Sequence, residues 1–323
     1  MCPDSLSVEF RLGRDGIAYE HWGRLIKLVK SGKVDGVECD GVPDVTICTV
    51  GEVQNCPGSV IILEAEDGPR ITASREVIAQ ERVLAVVKGN VFRAKSFYNL
   101  STVGGRYHGY LCHNEMKPKP NAEMRGGQAW SEHDLSKIRA LYTYAADRGE
   151  YVDDLDAERP LSASFAGTTV YRHLNGQQCY WLDWHRRCAV DELSKVKWSK
   201  CYDRLIPYKD YLSLLAKSQV CVSPWGWGEV CIRDFEAIKA GCVVVKPNTS
   251  HITTYPDIYK NNERCVTCAI DFSDLPEVVS GIVDNWGSYR KIREDNQSYL
   301  RSAMSDGVIA KRISDFFARV QTG

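Results

Sequence analysis

Short, continuous apolar runs recur along this chain and alternate with segments of helical periodicity. Seven of these runs have the length of a β-strand: DVTICTV, SVIILEA, VLAVV, ASFAGT, QVCVSP, GCVVVKP and ERCVTCA. A strand that is buried on both faces has such a continuous apolar sequence, and these strands are typical of parallel sheets covered by helices on both sides. The alternation therefore predicts the α/β class.

Four further segments place apolar residues at the spacing of one helix face. One of them follows Ser131 and Asp134, which resemble a capping box, and is predicted to continue as a helix to Gly149. The apolar stripes of the four segments are Trp22–Val29, Leu135–Ala145, Val278–Trp286 and Ile309–Val320.

The length of 323 residues predicts about two domains, at roughly 100 to 200 residues per domain. The segment RGEYVDDLDAERPLS, residues 148–162, contains five acids and a proline and interrupts the periodic pattern. We therefore expect two α/β domains joined near this segment, each long enough for its own core.

Composition excludes several classes of protein. The chain has 41 Lys and Arg against 42 Asp and Glu, which argues against a nucleic-acid partner because backbone phosphates are bound by an excess of positive charge. No apolar stretch approaches the roughly 20 residues that cross a bilayer, so no transmembrane segment is predicted. The polar N-terminus lacks a signal-peptide core, and a cytoplasmic location is expected.

The chain contains 13 cysteines at irregular spacing. A chain of this size needs no disulfide framework, so these cysteines are interpreted mostly as buried thiols. Cys265 and Cys268 form a CxxC in a predicted strand, but no second pair stands at zinc spacing.

The segment most informative about function is SPWGWGEVCIRDFEAIKAGCVVVKP, residues 223–247. It follows a predicted strand, QVCV, and is predicted to contain a glycine-containing loop, a helix ending at Gly241 and a second strand. The loop then lies at the carboxyl end of a strand, where open α/β sheets bind ligands. Glu229, Arg233 and Glu236 stand at i, i+4 and i+7 and are expected to share one charged helix face.

These residue types suit a phosphorylated sugar ligand. The first turn of the helix offers free N–H groups to a phosphate, and Gly226 and Gly228 allow the ligand to approach the backbone. Arg233 can bind phosphate in a bidentate manner, and the carboxylate of Glu236 can accept hydrogen bonds from two sugar hydroxyls. The alternative is that Glu229, Arg233 and Glu236 form an ordinary solvated network beside two tryptophans that cap a core.

This run, with LAKSQVCVSP before it, resembles the donor-binding segment of GT-B glycosyltransferases, in particular their exostosin-like and bacterial polysaccharide-type branches. In such enzymes a loop, an arginine and a glutamate followed by alanine hold the nucleotide-sugar. The matching positions are Arg233, Glu236, Ala237 and Gly241, and the resemblance implies that Glu236 binds the ribose. FAGT, residues 165–168, resembles the phosphate-side loop that opens the second domain of this fold.

The resemblance implies a GT-B architecture of two Rossmann-like domains that face a cleft. Residues 1–150 would form the acceptor-side domain and residues 160–304 the nucleotide-sugar-binding domain. Residues 305–323 would form a terminal helix that crosses back to the first domain.

One position departs from the family pattern. Many retaining members have another glutamate eight positions before the one that matches Glu236. Here that position is Gly228, and the nearest glutamate, Glu229, is displaced by one. The departure favours an inverting mechanism, which needs a base near the acceptor hydroxyl. The leading candidates for the base are Asp67 and Glu66 at a strand end, and the alternatives are His108 and His113. Acids before Gly-Pro are also ordinary turn formers, and a lone histidine is more often structural.

Other residues are weaker candidates for the donor site. The basic candidates for the diphosphate are Arg172, Arg186, Arg187 and Lys246. His251 could reach the cleft with Thr249 and Ser250, or could belong to a cluster that caps a loop. Lys88 could close over the donor, or could be an ordinary solvated lysine.

The sequence thus predicts a glycosyltransferase that moves a sugar from a nucleotide-sugar to a carbohydrate hydroxyl. A UDP-linked sugar is the expected donor only because UDP-sugars are the most frequent donors. No DxD motif stands at a strand end, so neither a metal nor another cofactor is expected. The expected partners are the donor and a glycan acceptor. A non-catalytic carbohydrate- or nucleotide-binding module on the same fold, or another nucleotide-sugar enzyme such as a phosphorylase, remains an alternative.

Overall fold

Two parallel sheets, one in each half of the chain, organise the protein. The computed structural model describes residues 5–13, 16–39, 42–65, 68–69, 71–99, 130–172, 176, 179–260 and 263–322. The strands are β1 Leu6–Arg11, β2 Val37–Glu38, β3 Val45–Cys48, β4 Ser59–Leu63, β5 Val83–Lys88, β6 Asn90–Phe92, β7 Ile138–Ala140, β8 Leu161–Ala166, β9 Lys200–Tyr202, β10 Ser218–Val222, β11 Val243–Pro247, β12 Ile252–Thr254 and β13 Val266–Cys268. The α-helices are α1 Gly16–Lys30, α2 Arg75–Ile78, α3 Glu132–Ser136, α4 Tyr180–Leu193, α5 Tyr208–Ala216, α6 Ile232–Lys239, α7 Leu275–Asp284, α8 Arg290–Ala303 and α9 Asp306–Gln321.

The first sheet is parallel, with strand order β2-β1-β3-β4-β5-β7. One of its faces packs against α1, which contributes Trp22 and Leu25 to the core. Helix α9, from the far end of the chain, packs beside α1 and adds Ile313, Phe316 and Phe317 to the same core. The last helix therefore completes the hydrophobic core of the first sheet.

The second sheet is also parallel, with strand order β13-β11-β10-β8-β9. Helices α4 and α7 cover one face, where Phe165 and Val245 are buried. Helices α5, α6 and α8 cover the other face, where Phe235 and Leu300 are buried. Each of the seven predicted strand segments contains a strand of one of the two sheets, and the predicted fold of two Rossmann-like α/β domains is confirmed.

A short antiparallel pair connects the two halves. Strand β6 follows the first sheet's β5 and pairs with β12, which follows the second sheet's β11. The pairing continues past the strand, since the N–H of Arg93 donates to the carbonyl of His251 at 2.8 Å. The carboxyl ends of the two sheets are thereby held facing one cleft.

The predicted helix from Ser131 to Gly149 is wrong beyond its first turn. The Ser131 cap is present, since its Oγ accepts from the N–H of Asp134 at 3.0 Å, but α3 ends at Ser136. Residues 138–140 then form β7, in which Ile138 pairs with Val86 of β5. The apolar residues at helical spacing are all buried, but in three separate cores, so their period reflects burial rather than one helix.

Two further observations concern the cysteines and the membrane. All eleven cysteines within the described ranges are free thiols, and six of them are buried, including Cys265 and Cys268. Within the same ranges, every helix is too short or too polar to span a bilayer.

Candidate functional site

A cleft of about 370 Å³ opens between the carboxyl end of the second sheet and the first half of the chain. The second half contributes the loops after β8 and β10, together with parts of α4, α5 and α6. The first half contributes α1, the residues around β6 and the segment after β7. Side chains from both halves of the chain therefore line this cleft.

Two arginines from different helices meet on one wall of the cleft. A Cβ atom on Gly167 would lie 2.9 Å from Nη2 of Arg233 on α6 and 3.1 Å from Nη1 of Arg186 on α4. Arg186 donates to the carbonyls of Thr168 at 2.8 Å and Trp225 at 3.0 Å. The glycine that follows β8 thus leaves room for both guanidinium groups.

The acceptors of this arginine pair are neutral. Arg233 donates to the carbonyls of Ala166 at 3.3 Å and Pro224 at 3.4 Å, and neither arginine pairs with a carboxylate within the described part of the chain. Burial and the neighbouring Arg233 lower the pKa of Arg186 to about 10, so both groups remain charged at neutral pH. Two positive charges without a carboxylate form a site for an anion, and their forked donors fit phosphate oxygens.

Glu236 lies on the same helix, three residues after Arg233, and also lines the cleft. Its Oε1 accepts from the hydroxyl of Tyr208 at 3.0 Å. Burial and the adjacent Glu236 carboxylate raise the pKa of Tyr208 to about 12, so this hydroxyl stays protonated and continues to donate. The tyrosine orients a carboxylate that can accept hydrogen bonds from a diol.

The glycine-containing loop after β10 lies beside the arginine pair. The N–H of Gly226 donates to the carbonyl of Gly228 at 3.0 Å, which closes a tight turn. Trp227, between them, is partly exposed and contacts the ring of Tyr171 edge-on at 5.1 Å. Both glycines line the cleft, as the sequence predicts.

Glu229 is not on the charged helix face that the sequence predicts. Helix α6 begins at Ile232, because the N–H of Cys231 donates to the side chain of Asp234 at 3.1 Å and starts the helix there. Glu229 lies in the preceding loop, fully buried, with its Oε1 2.7 Å from Nε2 of His251. This buried pair joins the loop to the segment before β12 and does not line the cleft.

Lys246 is also withdrawn from the cleft. It is fully buried, and its Nζ lies 3.1 Å from Oδ2 of Asp234, which also accepts from the hydroxyl of Tyr259 at 2.6 Å. The same ammonium donates to the carbonyl of Ser223 at 3.2 Å. Lys246 therefore holds the start of the glycine-containing loop from the buried side.

The remaining predicted residues lie elsewhere. Arg172 is exposed and donates to the carbonyl of Gly176 at 3.4 Å, and Arg187 is exposed on α4. Lys88 is fully buried and paired with Glu64 at 3.0 Å, so its interpretation as a solvated lysine is wrong. Thr249 and Ser250 lie in the loop before β12, where Thr249 is buried and Ser250 is exposed. The predicted bases Glu66, Asp67 and His108, with His113, lie outside the described residues.

Tyr208 and His21 are among the residues of the cleft that sequence reasoning missed. Tyr208 begins α5 after Pro207, in a segment with no recognised motif, and His21 lies in the middle of α1. For His21 a signal existed, because it precedes Trp22 on a helix whose apolar stripe was recognised. Within the described ranges, His, Cys, Asp and Glu side chains form no group of three that could hold a metal ion.

Comparison with known proteins gives the following results. No protein-family model matches the sequence. HepE of Anabaena, solved in complex with UDP and glucose, aligns with a TM-score of 0.50 and 9% identity over 85% of this chain and 78% of that chain. A glycosyltransferase from Rickettsia africae aligns with a TM-score of 0.47 and 9% identity over 96% of this chain and 83% of that chain. TarM aligns with a TM-score of 0.47 and 10% identity over 95% of this chain, which spans 58% of TarM's length.

At these identities the likeness to HepE concerns the fold. It agrees with the two parallel sheets facing a cleft, and the GT-B architecture is confirmed. The exostosin-like and bacterial polysaccharide-type branches stay predictions.

Proposed function

We propose that this chain is a glycosyltransferase that binds a nucleotide-sugar in the cleft and transfers its sugar to a carbohydrate hydroxyl. The observation that carries the proposal is the pair of Arg186 and Arg233, which meet over Gly167 without a carboxylate partner in the described ranges. A diphosphate supplies the missing negative charge. It is also the leaving group of sugar transfer, whose developing charge the two guanidiniums stabilise.

The same wall of the cleft also offers a group that can bind the ribose of the donor. Glu236 lies on α6, the helix that carries Arg233, and is oriented by Tyr208. Its carboxylate binds the ribose diol. HepE, with a similar fold, is described with UDP and glucose, and this supports a uridine nucleotide.

Inversion and independence from metal belong to the same proposal. Gly228 stands where retaining members have a second glutamate, and the buried Glu229 faces His251 instead of the cleft. Arg186 and Arg233 supply positive charge at the leaving group, a role that a divalent metal fills elsewhere. Chelation with EDTA is therefore expected to leave donor binding unchanged.

The proposal is tested by thermal stabilisation with UDP, GDP, ADP and UDP-glucose, each with and without EDTA. A ligand at 100 times its Kd stabilises a protein by about 2.7 kcal/mol. We expect the largest shift with UDP and UDP-glucose, and its loss in Arg186→Ala and Arg233→Ala. Arg187→Ala is the matched control, because Arg187 is exposed on the same helix as Arg186.

The outcomes separate the alternatives. If none of the nucleotides raises the melting temperature, the proposal is refuted. A UDP shift without release of UDP from UDP-glucose, with or without free sugars as acceptors, would favour a non-catalytic nucleotide-binding module.

A further inference from the structure

The glycine-containing loop between β10 and α6, residues 223–231, supplies acceptors to both members of the arginine pair. Nε of Arg186 donates to the carbonyl of Trp225 at 3.0 Å, and Nη1 of Arg233 donates to the carbonyl of Pro224 at 3.4 Å. A guanidinium group that donates to a carbonyl moves when the carbonyl moves, because the hydrogen bond is directional. The positions of both guanidinium groups therefore depend on the backbone of this loop.

Buried side chains hold the loop at both of its ends. At its start, the ammonium of Lys246 donates to the carbonyl of Ser223 at 3.2 Å. Near its end, Oε1 of Glu229 lies 2.7 Å from Nε2 of His251, and both side chains are at most 1% exposed. The ring of His251 also faces the buried ring of Trp225, with a centroid distance of 5.6 Å. The imidazole thus contacts the loop at two residues, one of which supplies an acceptor to the arginine pair.

The first half of the chain holds His251 in place. Its carbonyl accepts from the N–H of Arg93 at 2.8 Å, next to the β6–β12 pair. Its ring centroid lies 6.4 Å from that of Phe92 and 6.3 Å from that of Phe97, and both phenylalanines are buried. A side chain in a close-packed interior has few alternative positions. Contacts that begin in the first half therefore reach the loop through one imidazole.

A polar pair restrains the loop more tightly than apolar packing would. Apolar contacts are non-directional and tolerate small shifts, whereas a hydrogen bond fixes both a distance and a direction. Burial of a carboxylate away from its partner is also costly. A shift of the loop that separates Glu229 from His251 is therefore unfavourable.

We propose that Glu229 and His251 are positioning residues of the diphosphate site. Neither residue lines the cleft, and the pair acts through the loop by keeping the two loop carbonyls where they orient Arg186 and Arg233. The inference rests on the proposed function, in which a nucleoside diphosphate binds beside these arginines. A change in the pair should accordingly weaken the binding of the phosphates and leave the binding of the nucleoside almost unchanged.

The test is titration of the full chain with UDP and with uridine. Glu229→Leu removes the carboxylate, and its Kd for UDP should rise at least about tenfold, which is the order of one hydrogen bond to a charged group. Its Kd for uridine, which carries no phosphate, should change by less than about threefold, since the arginine fork binds phosphate oxygens. Glu229→Gln keeps an oxygen that can accept from the imidazole N–H, so its Kd for UDP should stay within about threefold of wild type.

Two further variants separate positioning from stability. Glu229→Leu combined with His251→Phe puts apolar groups in place of both partners, a replacement that can be nearly neutral for stability. This double variant should melt near the wild-type temperature and bind UDP as weakly as Glu229→Leu. Asn296→Leu is the matched control, because Asn296 is buried on α8, donates to the carbonyl of Arg264 and lies outside the cleft lining. It should lower the melting temperature and leave the ratio of the two Kd values unchanged.

Contrary results are distinguishable. If the double variant binds UDP as tightly as the wild-type protein, the positioning role is overturned, while the proposed glycosyltransferase function stands. Equal losses for UDP and uridine in Glu229→Leu would also overturn it, because the whole cleft and not the diphosphate site would then depend on the pair. A wild-type protein that does not bind UDP would refute the proposed function itself, and this inference with it.

Discussion

Gly167 controls the geometry of the arginine pair at the scale of a single residue. It follows β8 directly, and its missing side chain leaves space that Arg186 and Arg233 occupy. Both neighbours are the far ends of flexible side chains, so a methyl group at this position would displace them without disturbing the sheet.

We therefore expect Gly167→Ala to weaken UDP binding about tenfold, or about 1.4 kcal/mol, with little change in melting temperature. Isothermal titration with UDP measures the affinity. Gly281→Ala is the control, because a Cβ at that position meets no atom within 4 Å. Unchanged affinity in Gly167→Ala would mean that the guanidinium positions do not determine donor binding.

Helix α6 carries Arg233 and Glu236, which line the cleft, and it ends just before a glycine whose place no other residue can take without strain. Gly241 has a φ of +77°, and a Cβ there would lie 2.5 Å from Leu155 and 2.7 Å from Arg159. The guanidinium of Arg159 donates to the carbonyl of Ala240 at 2.6 Å, so it also closes the helix end. The left-handed backbone and the close neighbours both require glycine.

Gly241→Ala is expected to lower the free energy of unfolding by about 2 kcal/mol or more, because the left-handed conformation alone costs an L-residue about 1–2 kcal/mol. Denaturant titration measures it. Gly32→Ala separates the two causes: Gly32 has a φ of +67° but no atom within 4 Å of its Cβ position. Equal losses in the two variants would show that Leu155 and Arg159 give way at no cost.

Elements could be predicted where apolar residues alone fill the buried face. The stripe of α9 behind its Ser305 cap predicts the helix that the structure contains. Helix α8 escaped prediction because polar side chains occupy much of its buried face. Asn296 donates to the carbonyl of Arg264 at 2.6 Å and Gln297 to that of Lys239 at 2.8 Å.

Helix α9 and the β6–β12 pair join the two halves at the scale of the whole molecule. Helix α9 follows the second sheet in sequence but is buried in the core of the first, and β12 pairs with a strand from the first half. The first sheet therefore depends on residues near the end of the chain for its own packing.

Phe317→Ala is expected to lower the free energy of unfolding by about 3–5 kcal/mol, as for other buried phenylalanines. Val308→Ala, at a partly exposed position of the same helix, should cost much less. Chemical denaturation of both variants tests this. A similar small loss in each would mean that α9 is not part of the first core in solution.

The amino-acid sequence by itself determined the α/β class, seven strand segments and the glycine-containing loop with Arg233 and Glu236, because apolar period and glycine placement are local properties of the chain. Only the tertiary structure decided which charged groups face the cleft. Glu229 and Lys246 each pair with a buried side chain, while Arg186 lies next to Arg233 although it stands on another helix. Local spacing cannot specify such pairings, because the free energy that places each charge depends on groups distant in the sequence.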